Sequence, residues 1–187
     1  MTRKEAAAKI RAMLAAGSAK REVFSTLCGQ GVKDRVIAWL IASWADPERC
    51  RRNRLHVRIL VGIMVVQLLL GIVAVNLLFS RNESLSGGFR LVVMASFVLL
   101  VLLFIWGFVT NRVGAYHAYI VLSVVQIAEQ FAQQLKVSRF AVDDLLGYAI
   151  AIALVVYVFF IRNRLFPDFQ LFGPRKVNGQ YVFVERA

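Results

Sequence analysis

One uncharged apolar stretch limits what this chain can fold into. Residues 59–79 read ILVGIMVVQLLLGIVAVNLLF, in which Gln67 and Asn76 are the strongly polar side chains. As an α-helix rising about 1.5 Å per residue, the stretch is roughly 31 Å long, close to the hydrocarbon thickness of a bilayer. It lacks the polar face that a helix on the surface of a soluble protein carries. The sequence therefore predicts a membrane-spanning helix.

Three later stretches extend this pattern. They are predicted as spans at about residues 91–109, 113–135 and 145–161. The third span is the most polar of the set, and the fourth lies at the short end of the range that crosses a bilayer. The composition agrees, since 59% of the residues are hydrophobic and 18% are charged, against nearly half and a quarter in soluble domains. The predicted fold is an all-α integral membrane protein, with its four transmembrane helices in residues 57–161.

Residues 1–56 predict a small, basic, helical region in the cytoplasm. Thr2 and Glu5 have the spacing of a capping box, and apolar residues follow them at helical intervals. Ser18 is expected to cap a second helix, and a third helix is expected to start near Val32. No cleavable signal peptide is visible, so the first span is expected to act as an uncleaved anchor.

A cluster of arginines precedes the first span. Asp46-Pro47-Glu48 predicts the start of a fourth helix, which we expect to continue through these arginines into the span without a break. We call them the basic cluster: Arg49, Arg51, Arg52, Arg54 and Arg58. Such a cluster holds its end of a span on the cytoplasmic side, where it can also attract anionic lipid headgroups.

Residues 162–187 predict a short cytoplasmic tail. Asn178-Gly179 lies between β-forming residues, a strong local signal for a type I′ hairpin.

The distribution of charge predicts how the chain threads the membrane. With the N-terminus inside, the inner segments carry 19 of the 23 Lys and Arg residues and the outer loops carry four. This asymmetry follows the positive-inside rule for four spans with both termini in the cytoplasm, and it predicts a multi-pass protein of the inner membrane. It also accounts for most of the net charge of +12, so a nucleic-acid partner is not needed to explain that charge.

The third predicted span carries polar side chains at membrane depth. Gln126, Glu129, Gln130 and Gln133 recur at helical spacing and share one face. Glu129 and Asn76 are expected at similar depth, so we expect them to face each other or a shared wet cavity. We call Asn76, Gln126, Glu129, Gln130 and Gln133 the polar patch. Ionisable groups at this depth are costly and mark functional sites or helix contacts, although an interfacial turn ending the span near Ala128 is an open alternative.

The residues give no sign of enzymatic chemistry. The chain lacks a glycine-rich phosphate loop, a nucleophile elbow and the His-Glu-x-x-His zinc motif. Cys28 and Cys50 match no zinc or redox spacing, and neither histidine has a second ligand nearby in sequence. We therefore expect a protein that is not an enzyme, with no catalytic residues, no cofactor and no metal.

Three functions remain open from the sequence. The first is a non-enzymatic scaffold or accessory subunit that recruits a cytosolic or membrane protein partner, or anionic lipid, through its basic N-terminal region. The second is a small oligomeric transporter or channel that uses the polar patch, and it would be supported by flux that Glu129→Gln abolishes. The third is a membrane-anchored transcriptional regulator with a helix-turn-helix-like pair in residues 18–44. The third is disfavoured because its second helix is mostly apolar.

Overall fold

The structure is a computed structural model that describes residues 1–80, 87–137, 142–170 and 173–184. It is mostly helical, and the described helices are α1 (Arg3–Ala15), α2 (Lys20–Leu27), α3 (Asp34–Ala42), α4 (Pro47–Arg52), α5 (Arg54–Ser80), α6 (Gly87–Val109), α7 (Val113–Val137) and α8 (Val142–Leu165). The chain divides into two compact units. We call Met1–Cys50 with Arg162–Ala187 the terminal unit, and Arg51–Ile161 the span unit.

The terminal unit is a three-helix core closed by the tail. Its buried apolar residues recur at helical spacing on each helix, as Ala6, Ile10 and Leu14 on α1, Val23 and Leu27 on α2, and Ile37, Ala38, Ile41 and Ala42 on α3. The tail packs on this core through aromatic rings. Phe24 of α2 lies 5.5 Å from both Tyr181 and Phe183, and Trp39 of α3 lies 6.2 Å from Phe169 between ring centroids. The two ends of the chain therefore share one hydrophobic core.

A buried ion pair joins the same two segments. Lys20 Nζ lies 2.6 Å from Asp168 Oδ2, and the side chain of Asp168 is fully buried. Asp168 also accepts a hydrogen bond from the backbone amide of Val184, and its own carbonyl accepts one from Arg175. Because the carboxylate accepts from a backbone amide as well as from the ammonium group, its burial is well compensated.

Arg162 holds the turn that follows α8. Its side chain is almost fully buried. The guanidinium Nη2 donates to the carbonyl of Phe169 at 3.1 Å and to that of Gln170, and Nη1 donates to Asn163 at 3.0 Å. An arginine suits this position because several fixed donors can satisfy neighbouring carbonyls at once.

The described residues of the tail form two short antiparallel strand pairs. β1 (Phe169–Gln170) pairs with β2 (Gly173–Pro174), and β3 (Lys176–Val177) pairs with β4 (Gln180–Tyr181). Asn178 and Gly179 join β3 to β4 with φ values of 50° and 81°, the positive values that a type I′ turn requires. The predicted hairpin at this dipeptide is confirmed.

Local capping predictions have mixed outcomes. The capping box is confirmed, because the Glu5 amide donates to the Thr2 hydroxyl and the Thr2 amide donates to the Glu5 carboxylate, which lowers the pKa of Glu5. Asp46 caps α4 by accepting from the Glu48 amide at 3.0 Å. The prediction for Ser18 is wrong, since α2 begins after Ala19 and has no side-chain cap.

The basic cluster does not lie on one continuous helix. α4 ends at Arg52 and α5 begins at Arg54, with the buried Asn53 between them. The expectation of an unbroken helix from Pro47 into the first span is therefore wrong. Asparagine is a weak helix former whose side chain competes for backbone hydrogen bonds, which suits it to a break of this kind.

Three described helices are long and apolar enough to cross a membrane. They are Arg54–Ser80, Gly87–Val109 and Leu145–Leu165. The third predicted span forms a helix, α7, but it is not among the three, because histidine, glutamate and several glutamines lower its hydropathy. The structure thus supports a helical membrane protein, and the fourth crossing stays a prediction.

In the span unit, α5 packs on α6 and α6 packs on α7. Gly71 of α5 lets the ring of Phe97 approach its backbone, and Gly107 of α6 lies against the methyl group of Ala115 on α7. Beside the turn between α6 and α7, Tyr119 lies 5.4 Å from Phe104 and 5.7 Å from Phe108 between ring centroids. Glycine and aromatic residues thus hold this antiparallel pair together.

Candidate functional site: an arginine cluster and a polar helix face

The basic cluster divides between the two units. Arg51, Arg52, Arg54 and Arg58 belong to the span unit, and each is exposed. They flank the start of α5, the first of the three apolar helices. Four guanidinium groups within eight residues provide a concentrated positive surface at the end of a helix that is long and apolar enough to cross a membrane.

Arg49 belongs to the terminal unit and has a different environment. Its side chain is partly buried and lines a cavity of about 170 Å³. Lys20, Trp44 and Asp46 line the same cavity. Arg49 is therefore part of the packed terminal unit, and the four exposed arginines form the candidate site.

The α7 members of the polar patch share one face. Gln126, Glu129, Gln130 and Gln133 are all exposed within the span unit. Their spacing matches the sequence prediction, and 25 residues of continuous helix carry them. Helix α7 continues past Ala128 to Val137, and the point at which it would leave a membrane stays a prediction.

Asn76 has other partners. Its amide Nδ2 donates to the Ile72 carbonyl at 2.7 Å, and its Oδ1 accepts from the guanidinium of Arg90. No hydrogen bond between described residues joins Asn76 to Glu129, so direct pairing is not seen in this structure, and a shared wet cavity stays a prediction. The spans expected at residues 59–79 and 91–109 leave Arg90 in the loop between them, whereas α6 begins earlier, at Gly87.

Two tyrosines of α8 make polar contacts that the sequence did not suggest. Tyr148 donates to Gln134 Oε1 at 2.7 Å and lies 6.0 Å from the ring of Phe131. The Tyr157 hydroxyl lies 3.2 Å from His56 Nδ1. These contacts link α8 to α7 and to α5. Since their partners are 14 and 101 residues apart in sequence, no local pattern could have revealed them.

The thiols are not activated. The pKa of Cys28 is raised by a hydrogen bond with Asp34, and the pKa of Cys50 is raised by burial and by the nearby Asp46. Both are free cysteines. A raised pKa keeps a thiol protonated near neutral pH, whereas nucleophilic catalysis and metal binding need the thiolate. In the described ranges, no group of three or more His, Cys, Asp or Glu side chains is placed to hold a metal ion.

The helix-turn-helix-like segment is mostly used for packing. α3 contacts α1, α2 and β2, and Ile37, Ala38, Ile41 and Ala42 are buried. Asp34, Arg35 and Trp39 are its exposed side chains. An acidic residue in this set disfavours contact with a DNA groove, which carries the negative charge of the phosphates.

Comparison with family models, with curated proteins and with solved structures found no match to this chain.

Proposed function

We propose that this chain is a multi-pass inner-membrane scaffold or accessory subunit, without enzymatic activity, that presents the terminal unit to the cytoplasm. One observation carries the proposal: residues from both ends of the chain build the terminal unit. A folded module that is anchored on both sides by membrane helices is suited to holding a partner at the membrane surface. Its basic composition and the exposed arginines that follow Cys50 in the chain favour anionic headgroups or an acidic partner surface.

The same observation supports four membrane crossings. Segments that share a core lie on the same side of a bilayer, so the chain between Cys50 and Arg162 must cross an even number of times. Three apolar helices give an odd number, and α7 is the remaining long helix. At about 1.5 Å per residue its 25 residues are roughly 37 Å long, enough to cross.

The packing of α7 supports its crossing as well. Its first turns run antiparallel to α6, where Ala115 contacts Gly107 and Tyr119 contacts Phe104. If α6 crosses the bilayer, these residues of α7 lie at membrane depth beside it. With four crossings, the excess of positive charge in the first and last segments favours the cytoplasm for both termini.

Reporter fusions test this topology. We expect a reporter that is active only outside the cytoplasm to be active when fused after Gly87, and to be inactive when fused to the C-terminus of the full chain. A reporter that works only in the cytoplasm should give the opposite pattern. A fusion after Arg112 serves as an internal control and should resemble the C-terminal fusion. Activity of the C-terminal fusion outside the cytoplasm would mean an odd number of crossings and would contradict the proposal.

Lipid retention tests the role of the exposed arginines. We expect the full-length protein, extracted in mild detergent, to retain anionic phospholipid, and replacing Arg51, Arg52, Arg54 and Arg58 by glutamine to remove most of it. Each arginine near an anionic surface contributes about 1 kcal/mol, so the set should weaken retention by more than about tenfold. The measurement is native mass spectrometry of the bound lipid.

A matched variant separates local from overall charge in the lipid experiment. Replacing four exposed cations of the terminal unit by glutamine changes the net charge equally, and the set is Lys4, Lys9, Arg11 and Lys33. Lipid retention should remain near that of the unmodified protein. Equal loss in both variants would mean that overall charge, and not the surface beside α5, attracts the lipid.

A further inference from the structure

The buried residues of α7 lie in the first third of the helix. Its buried residues, Val113, Tyr116, Tyr119 and Ile120, lie within the first eight positions. From Val121 to Lys136 no described side chain is buried within the span unit. We call this second part of α7 the open segment. Among the described residues, Tyr148 of α8 contacts it at Phe131 and Gln134, and its polar face lies outside that contact.

The open segment carries the polar face. Gln126, Glu129, Gln130 and Gln133 are exposed, and no hydrogen bond to another described residue is formed by their side chains. On the proposed four-span topology, on which this inference rests, the group lies about 20 to 30 Å along a membrane-spanning helix. Lipid chains offer no hydrogen bonds, so amide and carboxyl groups at such depth are satisfied by protein or by enclosed water.

We propose that a second copy of this chain covers the open segment, forming a symmetric dimer through α7. The spacing of the face suits such a pair. Gln126, Glu129 and Gln133 are three and four residues apart, the spacing of the contact positions where two helices cross at a shallow angle. Glutamine side chains both donate and accept hydrogen bonds, so the same residue from two copies can pair with itself.

Two-fold symmetry also gives the carboxyl group of Glu129 a hydrogen-bond partner. At about 100° per residue, Gln126 and Gln133 lie at the middle of the face, with Gln130 about 40° to one side and Glu129 about 60° to the other. A two-fold axis along the membrane normal brings opposite flanks together. Gln130 of each copy therefore faces Glu129 of the other and can donate its amide hydrogen to that carboxyl group, while the two carboxyl groups stay apart.

This complementarity favours a second copy over an unrelated partner. The face supplies both members of each hydrogen bond that it needs, which is the property of a self-complementary surface. Arg90, a cation in the first turn of α6, is bonded to Asn76.

Cysteine cross-linking in native membranes tests the dimer. Cys28→Ser and Cys50→Ala remove the natural thiols, and single cysteines are then placed along α7 and oxidised mildly. Because a disulfide needs Cβ atoms within about 4.5 Å, only positions at a close contact react. We expect Gln126→Cys and Gln133→Cys to give a dimer of this chain, and Val124→Cys and Ala128→Cys on the opposite face to give none.

A carboxylate swap tests the pairing across the axis, with Gln133→Cys as the cross-linking site. Gln130→Glu places two carboxylates together, so we expect cross-linking to be lost. Adding Glu129→Gln exchanges the two side chains and restores one donor opposite one carboxylate, so we expect cross-linking to return. Failure of the exchange to restore the dimer would overturn the assigned pairing.

Labelling of Val124→Cys tests the four-span topology independently of the dimer. A membrane-impermeant maleimide should not react with this position if α7 crosses the bilayer. Protection of Val124→Cys without cross-linking at Gln126→Cys and Gln133→Cys would overturn the dimer and leave the four-span topology intact. Reaction of Val124→Cys with the maleimide would overturn both. Cross-linked products that contain a different protein at these positions would also overturn the dimer.

Discussion

Replacing Lys20 by methionine is expected to destabilise the terminal unit by about 3–5 kcal/mol, because the change leaves a buried carboxylate without its counter-charge. The side chain of Asp168 is fully buried, and that of Lys20 is 15% exposed. Methionine keeps much of the volume of the lysine stem and removes its charge. The packing of α2 should therefore persist while the electrostatic compensation of Asp168 is lost, and the tail should separate from the helices more often.

Hydrogen exchange of the full-length protein in detergent measures this effect. A loss of 3–5 kcal/mol raises exchange through opening of the unit by roughly 10²- to 10³-fold or more, and amides of α2 and of β1 to β4 should show it. Lys9→Met is the matched control, since Lys9 is an exposed lysine of the same unit. If Lys20→Met lowers the stability of the terminal unit by less than about 1 kcal/mol, the Lys20–Asp168 pair behaves like a solvent-screened ion pair. The aromatic ring contacts would then be what holds the tail on the helices.

Short-range patterns predicted much of the local structure. Long runs without charge marked three apolar helices because a span has to be apolar over its whole length. Thr2, Asp46 and Asn178-Gly179 were placed correctly because capping and turn formation depend on groups a few residues apart. The prediction that Ser18 caps α2 was wrong, because a serine that is suited to capping does not always form the cap. The helix began one residue later, at Lys20, whose side chain reaches Asp168.

The assembly of the terminal unit could not be predicted in this way. The sequence suggested an N-terminal region and a separate tail, and the tail hairpin alone would be marginal. In the structure Phe24 packs on Phe183, and Lys20 pairs with Asp168, 148 residues away. Pairings between distant segments are set by the whole fold, and a single sequence has no local signal for them. They matter here because they support the even number of crossings.

The polar patch was predicted only in part. Helical spacing was enough to place the α7 residues on one face, because 3.6 residues per turn fix which positions are neighbours. The expected partner of Asn76 was different, because depth along two helices does not determine how they are rotated. Arg90 fills that place, and its long side chain reaches Asn76 from the first turn of α6. Among the described residues Glu129 does not pair with Asn76, and the shared wet cavity stays a prediction.

Gly107→Ala is expected to destabilise the pairing of α6 with α7 by about 1–3 kcal/mol through overpacking. A methyl group at Gly107 would overlap the Cβ of Ala115, which is fixed to the α7 backbone and cannot rotate away. Gly114→Ala is the matched control, because nothing lies within 4 Å of the Cβ position there. That substitution should be neutral or mildly stabilising, since alanine favours helix over glycine by about 1 kcal/mol.

A compensating change tests the origin of this loss. Ala115→Gly removes the opposing methyl group, so in the Gly107→Ala background it should recover most of the stability, although alone it costs the helix preference of alanine. The free energy of unfolding in mixed micelles, titrated with a denaturing detergent, measures all four variants. If the two changes add instead of compensating, the close approach of Gly107 to Ala115 is not what limits the pairing. The aromatic contacts of Tyr119 with Phe104 and Phe108 would then have to hold α7 against α6.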